Sequence, residues 1–346
     1  VLVALYLVGP RMERTELNLE LPVVDAGIGE IEDYVGKREA ALPVKPGNES
    51  VVVWADSVAQ PTEYVLLYLH GFTASRYEGY PMTYDFVKEF GVNAYLPRLA
   101  GHGLQVDEPL LDMTPANLYE SAKEALVIAH KLGEKVVVMG TSTGCTLALM
   151  LAADFPELVN GLILYSPNIR IKNAAAPLLS GPWGLQLSKA VHGGMYAVSD
   201  EPADSEDCKY WYCCYRVEAQ VYLQQLLDMR MNSQEFARVK QPLFLGYYYK
   251  DEEHQDGTVK VDAALRMFDE VATPDNKKVK IAFPKAGAHV IACELTSGAV
   301  AEVRSATFEF ACNVLGMQRK VDCLVHYLNG SVALGKIPCN QARVIP

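Results

Sequence analysis

The chain has 346 residues, half of them apolar, which is enough to bury a sizeable core without disulfides or metals as staples. A formal charge of -11 and the lack of any dense Lys/Arg cluster argue against nucleic acid as a partner, because such binding rests on a basic stripe that releases counterions. Eight cysteines (Cys145, Cys208, Cys213, Cys214, Cys293, Cys312, Cys323, Cys339) are too few for a disulfide scaffold and show no C-x-x-C spacing. They read as small buried hydrophobes, and the adjacent Cys213 and Cys214 are badly placed to bond each other.

In chain order, Val1 to Val8 is uniformly apolar before Gly9 and Pro10. Eight residues cannot span a bilayer, which takes about 20. The favoured reading is the remaining end of an export signal or of a membrane anchor upstream of residue 1, which would place the protein in the cell envelope. The alternative is an ordinary buried strand in a cytoplasmic protein. The rest of residues 1–50 reads as an extended segment. From about Val51, short β-branched or aromatic runs alternate with helical patterns. Strands are predicted at Val51–Trp54, Tyr64–His70, Val92–Leu96, Lys135–Gly140, Gly161–Ser166, Leu243–Tyr249 and Val279–Phe283, and helices at Met82–Phe90, Pro115–Leu132, Thr143–Phe155, Val259–Val271 and Gly298–Leu315. This is the rhythm of an α/β fold, a mostly parallel central sheet with helices on both faces, built from residues 51–166 and 240–317.

Residues 167–239 break the rhythm with loops and helices rich in Trp, Tyr, Leu and Met (Trp183, Tyr196, Trp211, Tyr212, Tyr215, Tyr222, Leu226, Leu227, Met229). A long excursion between strands reads as a helical cap or lid, here expected after the sixth strand. Its aromatic side chains read either as a substrate lining or as nothing more than a packed subdomain. The tail 318–346 has no assigned role.

Gly140-Thr141-Ser142-Thr143-Gly144 fits G-x-S-x-G, with a predicted strand before it and a helix after it, the context of a nucleophile elbow. So tight a turn needs glycine at both flanks and pushes the Ser142 hydroxyl out at a helix N-terminus, where free N–H groups favour negative charge. A hydroxyl is a weak nucleophile at neutral pH and needs a base. Of the seven histidines, His289 sits in a Gly-containing loop after the last strand, at the sheet edge where Ser142 emerges. A carboxylate to orient it is sought after Leu243–Tyr249, where Asp251, Glu252, Glu253 and Asp256 follow. Asp256 is chosen because Asp256-Gly257-Thr258-Val259 leads straight into a helix. Asp251 is the reserve, since residues 251–253 read more simply as a solvated charge run. Oxyanion donors are expected from the backbone N–H groups of Phe72 and Thr143, with His70 and Gly71 shaping the oxyanion loop rather than transferring protons.

On these residues, His70-Gly71-Phe72-Thr73, Gly101-His102-Gly103, Gly140 to Gly144, Asp256 to Val259 and His289, the chain resembles the α/β-hydrolase superfamily over about residues 51–316, and within it is similar to bacterial carboxylesterases and monoacylglycerol-lipase-like enzymes. The resemblance implies Ser-Asp-His hydrolysis of a small-molecule acyl ester without metal or other cofactor, under a cap over an acyl pocket. Two positions depart from the pattern. Ala100 stands where many relatives have Arg, and Tyr247-Tyr248-Tyr249-Lys250 replaces a usual His-Gly pair. The same triad also serves peptides and thioesters. An aminopeptidase would need carboxylates for the substrate ammonium, and Glu201, Asp204, Glu206 and Asp207 in the cap are candidates, or simply a solvated acidic loop. A non-catalytic binding module on this scaffold is the reading from a different class.

Overall fold

The computed structural model describes residues 8–320. All of the Val1–Val8 run but its last residue, and the tail beyond Lys320 with Cys323 and Cys339, lie outside the described residues. Among the described residues nine strands are present: β1 (Val51–Val53), β2 (Thr62–Leu69), β3 (Asn93–Leu96), β4 (Gly133–Thr141), β5 (Gly161–Tyr165), β6 (Tyr196–Val198), β7 (Cys214–Arg216), β8 (Leu243–Tyr247) and β9 (Lys278–Ala282). The helices are α1 (Ile31–Ala40), α2 (Met82–Phe90), α3 (Pro115–Leu132), α4 (Thr143–Asp154), α5 (Gly184–Val191), α6 (Glu206–Tyr210), α7 (Glu218–Arg230), α8 (Ser233–Phe236), α9 (Val261–Glu270) and α10 (Val300–Asn313).

Seven strands form one sheet in the order β1-β3-β2-β4-β5-β8-β9, parallel throughout except for β1, which runs antiparallel to β3 at one edge. The central strands are apolar on both faces because both faces are covered. Val65, Leu67, Val136, Val138, Leu162, Leu164, Leu243 and Leu245 pack with residues of α3, α4 and α9, whereas the alternating Leu66, Tyr68, Val137, Met139, Ile163 and Phe244 pack with α2 and α10. Local signals set the helix ends. Thr114 and Asn117 close a capping box ahead of Pro115, and Gly91 ends α2 in the left-handed region at φ 60°.

The excursion leaves the sheet after β5, the fifth strand in chain order and not the sixth, because one strand alone precedes β2 in the described sheet. Nor is it wholly helical, since β6 and β7 pair antiparallel within it. Its return end is tied to the core by a cluster around the buried Asp154 carboxylate. Asp154 at the end of α4 accepts from Arg230 of α7 at 2.7 Å, from Arg238 at 2.9 Å and from the Tyr119 hydroxyl at 2.5 Å. Residues ahead of α1 cross the cap, where Pro10 accepts the Trp183 N–H at 2.8 Å and Met12 accepts from Gln225 at 3.2 Å.

Three further expectations are corrected. Residues 1–50 are not all extended, since α1 lies there. It buries Ile31 and Val35 and little else, too weak a period to read from sequence. The strand predicted over Leu243–Tyr249 ends at Tyr247. Cysteines 208 and 213 are a disulfide, with Cα atoms 5.4 Å apart, and Cys214 is exposed, whereas Cys145 and Cys293 are free and buried. The short loop that α6 folds into, not any spacing in the sequence, brings the bonded pair together.

Candidate active site

The tight turn between β4 and α4 is held mainly by backbone hydrogen bonds, with the Cys145 thiol donating to the Gly140 carbonyl at 3.0 Å. Ser142 has φ 54° and ψ -115°, a conformation that costs a non-glycine residue about 1–3 kcal/mol unless its surroundings impose it. They do so from several sides. The Ser142 N–H donates to the Tyr165 carbonyl at 2.9 Å, and the Ser142 carbonyl accepts from Cys145 at 3.0 Å and from Asn168 at 3.1 Å. A Cβ on Gly144 would lie 1.8 Å from the Leu69 carbonyl oxygen, and one on Gly140 would lie 2.7 Å from the Gly144 carbonyl carbon, so neither flank admits a side chain.

Asp256 and His289 come from the loops after β8 and β9, at the same carboxyl edge of the sheet. His289 Nδ1 and Asp256 Oδ2 are 2.7 Å apart, and Asp256 Oδ1 accepts from the N–H groups of Thr258 at 2.8 Å and Val259 at 3.1 Å. Burial works against the Asp256 charge, but the hydrogen bond and charge of His289 and the two N–H groups outweigh it, and the carboxyl titrates below its ordinary range. An ionised acceptor fixes the proton of the neutral imidazole on Nδ1 and leaves Nε2 as a bare acceptor. Among the described residues Nε2 is buried without a partner, and it shares a cavity with Ser142. Asp251, the reserve carboxylate, is exposed and bonds His254 at 2.7 Å, away from this histidine.

The loop expected to shape an oxyanion hole follows β2. His70 is fully buried, its Nε2 accepting the Leu99 N–H at 3.1 Å and its Nδ1 donating to the Gly71 carbonyl at 3.0 Å. Burial, and then the neighbouring His102 ring 5.0 Å away, hold its pKa well below the ordinary value, and burial takes His102 down to about 4. Both rings are therefore neutral near pH 7 and serve as struts. Among the described residues the N–H groups of Phe72 and Thr143 engage no protein acceptor. The cap touches this loop directly, for the Tyr212 N–H donates to the Thr73 carbonyl at 2.9 Å.

Two polar residues at the site were not anticipated. Asn168, just past β5, is buried with Oδ1 unpartnered among the described residues, and it lines the cavity. Glu78, in a single 3-10 turn capped by Ser75, is 2 % exposed and also lines the cavity. Its Oε2 accepts the Gly71 N–H at 2.6 Å and the Tyr68 hydroxyl at 3.2 Å, and Tyr68 in turn meets Thr141 at 3.1 Å. Burial raises this carboxyl from 4.5 to about 7, against the opposing pull of the Gly71 N–H, His289, Tyr68 and the Trp211 indole. No sequence motif marks Glu78, whose burial is created by the turn over the sheet edge.

The cavity has a volume of about 660 Å³. Beyond Ser142 and His289 its cap lining is mixed, with aliphatic Leu178, Leu179, Leu187, Val191 and Leu223, aromatic Trp211, Tyr212 and Tyr215, and polar Asn173, Ser188, Ser199 and Gln220. Tyr222, Leu226 and Leu227 pack into the core cluster instead. The acidic cap residues Glu201, Asp204 and Glu206 are exposed, and neither they nor Asp207 reach the cavity. A larger cleft of about 920 Å³ opens beside Arg98, but both its arginines are already paired, Arg98 with Glu39 at 2.9 Å and Arg38 with Glu124 at 2.8 Å, and it holds neither Ser142, Asp256 nor His289. Among the described residues no three metal-binding side chains converge, and no helix is long and apolar enough to cross a membrane.

No curated protein sequence matches the chain. Solved structures do match in fold. One of the metagenome-derived lipolytic enzymes LipS and LipT aligns with TM-score 0.62 at 17 % identity, over 77 % of this chain and 98 % of its own. The monoacylglycerol lipase of Paleococcus ferrophilus aligns with TM-score 0.55 at 17 % identity, over 75 % and 96 %. Est1E from Butyrivibrio proteoclasticus, solved with ferulic acid bound, aligns with TM-score 0.51 at 15 % identity, over 78 % and 95 %. The model of the alpha/beta hydrolase family matches residues 66–302, and the chain belongs to that family.

Proposed function

We propose that this protein, a hydrolase by family, cleaves carboxylic esters through an acyl-enzyme on Ser142. The observation that carries the reading is the His289 imidazole, braced on one side by buried Asp256 and open at Nε2 in the cavity of a strained serine. Ser142 Oγ attacks the carbonyl carbon as Nε2 takes its proton, and the negative Asp256 stabilises the imidazolium. The N–H groups of Phe72 and Thr143 receive the tetrahedral oxyanion, and the positive end of α4 adds to their field. The imidazolium returns its proton to the leaving alcohol, and water repeats the sequence to release the acid. The aliphatic cap walls suit an apolar acyl group, in keeping with the lipase and esterase neighbours in fold.

Hydrolysis of p-nitrophenyl esters from acetate to palmitate tests the reading. Wild type is expected to turn over part of the series with an optimum set by the cavity, and Ser142→Ala to lose at least about 10³-fold in kcat. Turnover that survives in Ser142→Ala refutes it.

A further inference from the structure

Glu78 is a buried carboxylate at the nucleophile, and the hydrolysis scheme above does not use it. A Cβ placed on Gly71 would lie 2.8 Å from Glu78 Oε1 and 3.2 Å from Ser142 Cβ, so the carboxylate and Ser142 both pack against the same face of Gly71. Oε2 accepts from the Gly71 N–H and the Tyr68 hydroxyl, the Trp211 indole also reaches the carboxyl, and Glu78 lines the cavity. What opposes its burial is the His289 ring and hydrogen bonds from Gly71, Tyr68 and Trp211, none of them a permanent cation. A buried carboxylate without a cation is costly, and proteins keep one where something supplies the missing charge. Asn168 Oδ1, buried and unpartnered among the described residues, adds a second acceptor in the same cavity.

We infer that Glu78 is a specificity-determining residue whose carboxylate receives a protonated amine on the substrate's acyl half, next to the scissile carbonyl, with Asn168 Oδ1 as a second acceptor. The substrate class is then the esters of apolar α-amino acids. The ammonium pairs with Glu78 beside Ser142, and the side chain lies against the aliphatic cap walls of Leu178, Leu187 and Leu223. The role once open to Glu201, Asp204, Glu206 and Asp207 passes to a carboxylate that reaches the nucleophile. This assignment rests on the acyl-transfer reading above for its chemistry, but not for its binding.

The test uses three ethyl esters of one shape, those of leucine, of its α-hydroxy analogue and of isocaproate, followed by pH-stat at neutral pH with wild type and Glu78→Gln. A charge-assisted hydrogen bond corresponds to about 10- to 100-fold. Wild type is expected to favour the leucine ester over isocaproate by at least that factor in kcat/KM, and in Glu78→Gln the ratio is expected to fall about 10- to 100-fold, whatever common factor the substitution imposes. Three results overturn the inference: no preference in wild type, a preference for the hydroxy ester, or an equal loss on all three esters, which marks Glu78 as positioning Gly71 only. Calorimetric binding of isopentylamine to Ser142→Ala, compared with Ser142→Ala/Glu78→Gln, separates this inference from the esterase reading. Binding that needs Glu78 while no ester is cleaved refutes esterase activity and leaves the ammonium site standing. Equal or no binding to both proteins refutes the site.

Discussion

Glu78→Gln also changes stability, in a direction that follows from the burial of the carboxylate. Folding raises the Glu78 pKa from 4.5 to about 7, so between those values the unfolded chain releases the proton and the folded one keeps it. The carboxyl therefore favours the fold fully below pH 4.5, and that contribution is lost as pH rises through 7. At 1.36 kcal/mol per pH unit the whole effect is about 3 kcal/mol, of which roughly 2 to 3 kcal/mol falls between pH 5 and pH 8. The groups facing Glu78 are Tyr68 from β2, Cys145 from α4, Cys293 and His289. Tyr68, Cys145 and Cys293 are pushed up by burial and stay neutral through this window. Glutamine keeps an oxygen for the Gly71 N–H and carries no charge to bury. The assay is a thermal scan of both proteins at pH 5 and pH 8. Glu78→Gln is expected to gain on wild type by roughly 3 to 5 °C between the two. Curves that stay parallel from pH 5 to pH 8 would show that the carboxylate is compensated and refute the argument. A residue whose charge costs stability near neutral pH and that stands beside Ser142 fits a functional carboxylate.

Asp256→Asn is expected to leave the fold intact and lower kcat about 10³- to 10⁴-fold, because the amide holds His289 in the wrong tautomer, and steady-state kinetics check it. Gly144→Ala forces a Cβ onto the Leu69 carbonyl with backbone on both sides, so a loss above about 4 kcal/mol is expected, read as insoluble or unfolded protein. Gly194→Ala, where nothing lies within 4 Å, is its control and should move Tm by no more than about 2 °C. Leu223→Trp fills part of the cap wall and is expected to shift the ester optimum to shorter acyl chains without loss of Ser142 reactivity. An unchanged chain-length profile would mean that the acyl group lies elsewhere.

Much of the core was legible because central parallel strands must be apolar on both faces. Val136 to Met139 and Leu162 to Tyr165 can be little else, and the helices between them carry caps such as Thr114-Pro115. The elbow was legible because Gly140 and Gly144 have no steric alternative at that turn. What escaped is made by tertiary contact. The helix α1 buries two side chains, and strands β6 and β7 are three residues each with 15 residues between them, so neither leaves a period to read. The Cys208–Cys213 bond depends on the fold of the loop it closes, a loop that Lys45 also holds through the carbonyls of Cys208 at 2.7 Å and Trp211 at 3.4 Å. In the sequence Glu78 reads as a charged residue in a loop, and only the packing of that loop over β2 and β4 makes it a buried carboxylate beside Ser142.

Covalent labelling tests the proposed nucleophile Ser142 and its activation by His289. Wild type, Ser142→Ala and His289→Ala would be treated with a fluorophosphonate probe, and the adduct placed by peptide mass spectrometry. One adduct on Ser142 is expected in wild type, none in Ser142→Ala and strongly slowed labelling in His289→Ala. An adduct on another residue, or labelling indifferent to His289, would contradict the proposal.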